Sequence, residues 1–125
     1  MGIPKEHRIL YSRDFESVRK KGIRRVYPYF ILQLNVRTQS GLKANFSNVT
    51  RLGLIAGRRV GNAVIRNRGK RIIRQIFFKH KDKLPMGSEL VVILRSNFQK
   101  SSFVQMEHDF LAACLWYKKR FNFEN

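Results

Sequence analysis

The segment from Ala63 to His80 constrains the fold more than any other part of this sequence. Read as a helix, it is about 27 Å long and amphipathic. Its apolar side carries Ile65, Gly69, Ile72 and Ile76, with Ile73 at the edge. Its other side carries Arg66, Asn67, Lys70, Arg71 and Arg74, with Arg68 on the flank. The pattern predicts a helix lying on a sheet with its cations outward. Because glycine lowers helix propensity by about 1 kcal/mol, Gly69 on the apolar side predicts a close approach to that sheet.

Acidic residues are missing from the middle of the chain. The formal charge is +18, and residues 17–81 hold 17 of the 26 lysines and arginines but no carboxylate. Since 43% of residues are hydrophobic, including 10 phenylalanines, the chain is not a disordered basic tail. A solvated helix face normally interleaves Glu with Lys, and cations spaced i, i+4 destabilise an isolated helix. Phosphate binding therefore explains the basic helix better than solvation does, and nucleic acid is the first partner to consider.

The remaining elements are predicted from caps, turn residues and alternation. A first helix covers Arg13 to Lys21, with Ser12 as N-cap and Gly22 as its end. Strands are predicted at Tyr27–Val36, Arg51–Ala56 and Glu89–Arg95, with room for a short one near Arg24–Tyr27. A polar loop is expected over residues 37–50. A last helix begins at Ser102, forms a capping box with Gln105 and runs to near Arg120.

Alternation along the first long strand assigns its residues to two faces. Phe30, Leu32 and Leu34 share one face, and Tyr29, Ile31 and Gln33 share the other. Phe30, Phe77, Phe103 and Phe110 are assigned to the core. Phe15, Tyr29 and Ile31 are candidates for an open cleft that could hold single-stranded nucleic acid, although each alone is more often a core residue.

Catalytic and metal-binding patterns are not found in the sequence. Gly57 and Gly61 could form a phosphate-binding turn or only make the bend, and no P-loop motif is present. His7, His80 and His108 lie in separate elements without metal-ligand spacing, and Cys114 is the only cysteine. No carboxylate pair is placed to share a substrate. With no secretory or membrane-spanning stretch, we expect a soluble, intracellular protein without side-chain catalysis.

One string carries a specific resemblance. The residues from Arg59 to Val64, Arg-Val-Gly-Asn-Ala-Val, precede Arg66-Asn67-Arg68-x-Lys70-Arg71-x-x-Arg74. This sequence resembles the signature of the bacterial ribonuclease P protein component. The similarity extends over about residues 8–118, through Asp14-Phe15, Gly22, Arg51-Leu52-Gly53-Leu54 and the apolar run 91–94 that ends in Arg95.

The resemblance implies a single α+β domain over residues 1–125, sandwich-like, in the order α-β-β-β-α-β-α. It also implies a left-handed βαβ crossover around the basic helix, against the usual right-handed rule. The implied role is that of a protein cofactor to a catalytic RNA that removes the 5′ leader of precursor tRNA. The protein would thus be a subunit of an endoribonuclease whose RNA and Mg²⁺ perform the hydrolysis. The implied partners are that RNA and precursor tRNA, in the cytoplasm, with no membrane and no stable protein partner.

The resemblance also assigns roles to residues. Contact with the catalytic RNA is implied for Arg58, Arg59, Asn62, Arg66, Asn67, Arg68, Lys70, Arg71 and Arg74. A leader-binding cleft is implied for Phe15, Arg19, Tyr29, Ile31, Gln33 and Arg59. The family often has aromatic residues where this chain has Arg19 and Gln33, so leader binding here is expected to be more electrostatic.

Three other classes are considered on the residues alone. A ribosomal or chromosome-associated basic protein also needs only a cationic helix, so composition leaves that alternative open. An independent metal-dependent nuclease would need a carboxylate or histidine cluster that the sequence does not offer. A membrane-surface helix is disfavoured because the sheet needs the apolar side of the basic helix.

Overall fold

The computed structural model describes residues 7–9, 11–36 and 49–121. Its main elements are α1 (Ser12–Lys21), β1 (Ile23–Val26), β2 (Phe30–Val36), β3 (Arg51–Ile55), α2 (Ala63–His80), β4 (Ser88–Leu94) and α3 (Phe103–Phe121). Short 3₁₀ turns lie at Arg58–Val60, Lys81–Lys83 and Phe98–Lys100. The order is the predicted α-β-β-β-α-β-α, which confirms the α+β class. Most of the predicted loop, residues 37–48, lies outside the described residues.

The four strands form one sheet in the order β1-β2-β4-β3. β2 pairs antiparallel with β1 and with β4, whereas β3 pairs parallel with β4. A parallel pair needs a long crossover connection, and α2 supplies it. The most basic helix of the chain therefore lies in the connection between the parallel strands β3 and β4. The left-handed sense of this crossover stays a prediction.

Two apolar clusters lie on opposite faces of the sheet. The larger cluster joins the core face of the strands to α2 and α3, and its fully buried members include Phe30, Leu32, Ile76, Phe77 and Phe110. On the other face, Val18 and Phe15 of α1 pack with Ile9, Val91 and Ile93. We call the face that carries α1 the cleft face. Because α1 has only 10 residues, it covers only part of that face.

The basic helix has the predicted bounds, and its position on the sheet agrees with the role assigned to its glycine. Asn62 caps the helix, its Oδ1 accepting a hydrogen bond from the Ile65 amide at 3.0 Å. A Cβ added to Gly69 would lie 2.6 Å from Leu94 Cδ1, so the predicted close approach is confirmed. The buried side of the helix is rotated toward Ile73 and Phe77 relative to the prediction. Ile65 and Ile72 are only half-buried, while Ile73, Ile76 and Phe77 are buried.

Two predicted boundaries were wrong. Ser12 is the first residue of α1 and not its cap, because Tyr11 occupies the N-cap position without a side-chain hydrogen bond. The long strand begins at Phe30 and not at Tyr27, and the short strand proposed before it is β1. Pro28 cannot donate to a strand ladder, so residues 27–29 form the connection, which the Tyr27 amide closes on the Phe30 carbonyl at 2.9 Å.

The assignment of Phe103 to the core was also wrong. Phe103 opens α3 and is 37% exposed. The buried residue is Phe98, in the preceding 3₁₀ turn, whose ring lies 3.0 Å from the Cβ position of Gly69. The sequence showed two phenylalanines near the start of a helix, and only the path of the turn decides which one is buried. The capping box is half formed, since Ser102 Oγ accepts from the Gln105 amide while the Gln105 side chain bonds Asp109.

Candidate nucleic-acid interface

A cationic ridge runs from the end of β3 along α2. We define it by seven side chains: Arg58, Arg59, Arg66, Arg68, Lys70, Arg71 and Arg74. The first two are exposed in the 3₁₀ turn before α2, and Arg68 and Arg71 are exposed on the helix itself. The other three are half-buried. The ridge thus follows one continuous stretch of the chain, and its contact with RNA stays a prediction.

None of the ridge residues forms a salt bridge within the described part of the chain. The ion pairs found there engage Arg19, Arg51, Lys79, His80 and His108 instead. The Nε atoms of Arg66 and Arg74 are buried, and neither makes a hydrogen bond to a described residue. A partly buried stem has already lost rotamer freedom, so these arginines lose less entropy on binding an anion. The ridge is therefore a set of uncompensated cations, two of them partly pre-ordered.

The two asparagines of the predicted interface differ in their surroundings. Asn62 uses its side-chain oxygen to cap α2, a structural role that the sequence prediction had not assigned to it. Its amide nitrogen remains a donor on an exposed residue. Asn67 is exposed on the helix among the ridge arginines. Both positions are compatible with contact to RNA, and both assignments stay predictions.

The cleft face carries a row of four aliphatic residues, one from each strand. Strand register pairs Val26 with Ile31, Ile31 with Ile93, and Ile93 with Ile55. Val26 is 57% exposed and Ile55 41%, and the two central residues are half-buried. We call these four residues the apolar row. It spans three strand spacings, about 14 Å, and ends beside the ridge where β3 leads into Arg58 and Arg59.

Three of the six residues predicted for the cleft lie together on this face. Phe15 of α1 packs over β3, close to Gly53, and Ile31 and Gln33 lie on β2. Gln33 is buried, in register between Arg24 and Val91. Arg59 is exposed in the turn after β3.

The other two predicted cleft residues are placed differently. Tyr29 was assigned to the face of Ile31, but it packs against the larger cluster instead. The reason is that Tyr29 precedes the strand, so strict alternation does not extend to it. Arg19 is exposed and bonds Glu16 at 2.7 Å, a contact that lowers the pKa of the Glu16 carboxyl. Arg19, a predicted cleft cation, thus already has a counter-ion, whereas Arg59 has none among the described residues.

Sequence reasoning missed several residues of the cleft face. Val26, Ile55 and Ile93 complete the apolar row, and Glu89 forms a buried ion pair with Arg51 on the neighbouring strand. Alternation could have assigned Ile55 and Ile93 to the face opposite Leu54 and Val92. Their alignment across four strands depends on a register that one sequence does not reveal.

The described residues include all three histidines and the only cysteine of the chain. They contain no cluster of three or more histidine, cysteine or acidic side chains that could hold a metal ion. Cys114 is buried, and its burial raises the pKa of the thiol to about 12. None of the described helices is both long and apolar enough to cross a membrane.

Sequence comparisons point to one family. The Ribonuclease P family model matches residues 3–118. A ribonuclease P protein component from Bacillus cereus is 34% identical over 104 residues, which cover 82% of this chain and 84% of that protein. A protein of the same name from Bacillus anthracis is 34% identical over 104 residues, covering 82% and 81% of the two chains.

Solved structures agree with these sequence matches. A mutant RNase P protein from Staphylococcus aureus superposes with a TM-score of 0.74 at 25% identity, covering 94% of this chain and 90% of that one. The RNase P protein from Thermotoga maritima gives a TM-score of 0.70 at 29% identity, covering 86% and 94%. The match of the family model to nearly the whole sequence, together with these relatives, shows that the chain belongs to the ribonuclease P protein component family.

Proposed function

We propose that this chain binds the catalytic RNA of ribonuclease P through the cationic ridge and the 5′ leader of precursor tRNA across the cleft face. In doing so it promotes endonucleolytic removal of the leader. Family membership supports the coarser part of this statement: the chain is a component of an endoribonuclease complex in tRNA processing, and its partner is the ribonuclease P RNA. The observation that carries the finer part is the ridge of seven cations with no acidic partner among the described residues.

The ridge supports the first half of the proposal through its charge and rigidity. Six of its seven cations are arginines, whose planar guanidinium groups can bind a phosphate through two parallel hydrogen bonds. Arg66, Lys70 and Arg74 recur at i, i+4, i+8, so a rigid helix sets their spacing. Such contacts fix the orientation of the protein on RNA and contribute affinity without reading sequence.

The cleft face supports the second half. The apolar row offers a strip of about 14 Å on which unpaired bases can lie, with the partly exposed Phe15 ring at its side. Arg24, exposed on the same face, and Arg59, beyond the end of β3, supply cations near the two ends of the row. A leader placed here would make contacts that mature tRNA lacks. Product release after cleavage follows from the loss of those contacts.

The chemistry in this proposal belongs to the RNA. The catalytic RNA and its Mg²⁺ ions hydrolyse the phosphodiester bond, and the protein lowers the repulsion between two polyanions. Its own residues bind and position, and none of them exchanges a proton with the substrate. We place this reaction in the cytoplasm.

The first test removes two ridge cations. We expect the double substitution Arg66→Ala with Arg71→Ala to weaken binding of the ribonuclease P RNA by at least about tenfold, because each charge-assisted hydrogen bond contributes about 1.5–3 kcal/mol. Filter-binding titrations measure the affinity, and circular dichroism checks the helices. The matched control is Arg13→Ala with Lys118→Ala, which removes the same charge from exposed positions outside the ridge. Equal affinities for the two double variants would contradict the proposal.

A second measurement separates this function from that of a structural RNA-binding protein. With the catalytic RNA present, the chain should increase affinity for precursor tRNA more than affinity for mature tRNA. It should also raise the cleavage rate of a labelled precursor at low Mg²⁺. A chain that bound both tRNAs equally and left the rate unchanged would be a structural RNA-binding protein.

A further inference from the structure

A guanidinium group lies within reach of two aromatic rings at the edge of the sheet away from the ridge. The Arg25 side chain of β1 lies 4.4 Å from the ring centroid of Trp116 in α3 and 5.9 Å from that of Tyr27. These distances fall within the range of cation–π contacts. We call Arg25, Tyr27 and Trp116 the edge cluster. Neither the family match nor the ridge accounts for it.

No acidic residue in the described part of the chain pairs with the edge cluster. Arg25 is half-buried, its Nε is buried without a hydrogen bond, and no salt bridge joins it to another described residue. Arg95, whose Nη1 donates to the Tyr27 carbonyl at 3.0 Å, also lacks an acidic partner in that part of the chain. A partly desolvated cation without a counter-ion is unfavourable unless an anion completes its environment. The cluster thus has a place for a negative group.

The aromatic rings of the cluster are poor platforms for bases. Arg25 covers one side of Trp116, and Tyr117 meets the Trp116 ring edge-on at 5.4 Å and 80°. Tyr117 itself is held by a 2.8 Å hydrogen bond from its hydroxyl to the Ile23 carbonyl of β1. The two rings restrict the movement of the guanidinium, and its terminal nitrogens form no hydrogen bond to a described residue. A planar, pre-oriented guanidinium suits a phosphate group.

The position of the cluster relates it to the cleft face. β1 is an edge strand, and Val26, the last residue of the apolar row, directly follows Arg25. Side chains alternate along a strand, so Arg24 lies on the cleft face and Arg25 on the face of α3. An RNA strand that follows the apolar row to Val26 reaches the sheet edge with one arginine on each side of it.

We infer that the edge cluster is a second RNA-phosphate site, in which Arg25, oriented by Trp116 and Tyr27, binds a backbone phosphate beyond the apolar row. This inference rests on the proposed function and adds a contact that lies outside both the ridge and the cleft. Two RNAs could supply the phosphate, the 5′ leader and the ribonuclease P RNA. The chemistry of recognition is the same for both.

The test compares Arg25→Ala and Arg25→Lys with Arg13→Ala. Arg13 is a matched control because it too lies over an aromatic ring, that of Tyr11, at 5.0 Å, and its loss changes the charge equally. Four probes are titrated: the ribonuclease P RNA alone, and, with that RNA present, precursors with a long and a short leader and mature tRNA. We expect Arg25→Ala to weaken at least one interaction about tenfold. Arg25→Lys keeps the charge and an alkyl stem, so it controls for folding while losing the bidentate contact.

The outcomes separate the two sources of phosphate. A loss confined to the long-leader precursor assigns the phosphate to the leader, and a loss with the ribonuclease P RNA alone assigns it to that RNA. Since Trp116 is the only tryptophan, its fluorescence in the wild-type chain should change at the same RNA concentration as binding. If Arg25→Ala binds all four probes like Arg13→Ala, the inference is wrong. The ridge variant tests the proposed function separately, because it should lose affinity whether or not Arg25 contributes.

Discussion

One close approach on the cleft face depends on the absence of a methyl group from a strand residue. Gly53 of β3 lies under the Phe15 ring, and a Cβ built on it would be 2.5 Å from Phe15 Cε1 and 2.8 Å from Cζ. A rigid aromatic ring cannot rotate away from such a contact as an aliphatic side chain can. The absence of a side chain at one strand position thus lets α1 pack directly on the sheet.

This contact gives a prediction at the scale of one residue. Gly53→Ala should destabilise the fold by about 1–3 kcal/mol, because overpacking must displace the ring or the helix that carries it. Thermal or urea unfolding measures the change. Gly57→Ala is the control, since a Cβ there meets nothing within 4 Å and the Gly57 φ of −76° suits alanine. Equal stabilities for the two variants would show that Phe15 moves aside without loss.

Among the elements, α2 was predicted with its full bounds, and the β1–β2 hairpin was not. The helix has 18 residues of one period, a capping asparagine and no internal proline, so local signals agree with one another. The hairpin depends on the hydrogen bond from the Tyr27 amide to the Phe30 carbonyl, which closes the turn around Pro28. Local sequence does not reveal such a pairing. The candidate interface likewise has one part that the sequence predicts and one part that it does not. The ridge follows from the helix period, whereas the apolar row requires the register of three strand pairs.

A prediction at the scale of the element separates the two roles of Asn62. Asn62→Ala should destabilise the chain by about 1 kcal/mol, because the α2 cap is lost. Asn62→Ser keeps a capping oxygen but loses the amide donor, so stability should stay within about 0.5 kcal/mol of the wild type while RNA affinity falls several-fold. Thermal unfolding and RNA titration of both variants measure the two effects. If Asn62→Ser binds RNA as tightly as the wild type, Asn62 caps α2 and does not contribute to RNA binding.

At the scale of the molecule, a chain with a net charge of +18 has arginines at both edges of its sheet. The ridge lies at the β3 side, Arg24 and Arg25 lie at the β1 side, and the apolar row joins the two. A strand of RNA crossing the cleft face therefore meets cations at both ends and apolar side chains between them. In the proposed complex, this arrangement would provide affinity without demanding a particular base sequence.

The charge predicts how binding depends on salt. If the seven ridge cations each contact a phosphate of duplex RNA, the slope of log affinity against log salt should be about −6, a loss of roughly 4 × 10³-fold between 50 and 200 mM. Arg66→Ala with Arg71→Ala should make the slope shallower by about 2. Titrations at four salt concentrations give both slopes. A slope near zero would mean that contacts other than ion pairs hold the RNA.

The Arg51–Glu89 pair has a consequence for the cleft face. Glu89 is the only carboxylate that the described strands place on that face, and it is buried against the guanidinium of the adjacent strand. The two charges cancel at short range, so a phosphodiester passing overhead encounters no exposed anion from the sheet. The unpaired charges that the described strands and the turn after β3 present on this face are then those of Arg24 and Arg59, so the proposed RNA path meets no exposed carboxylate of the sheet.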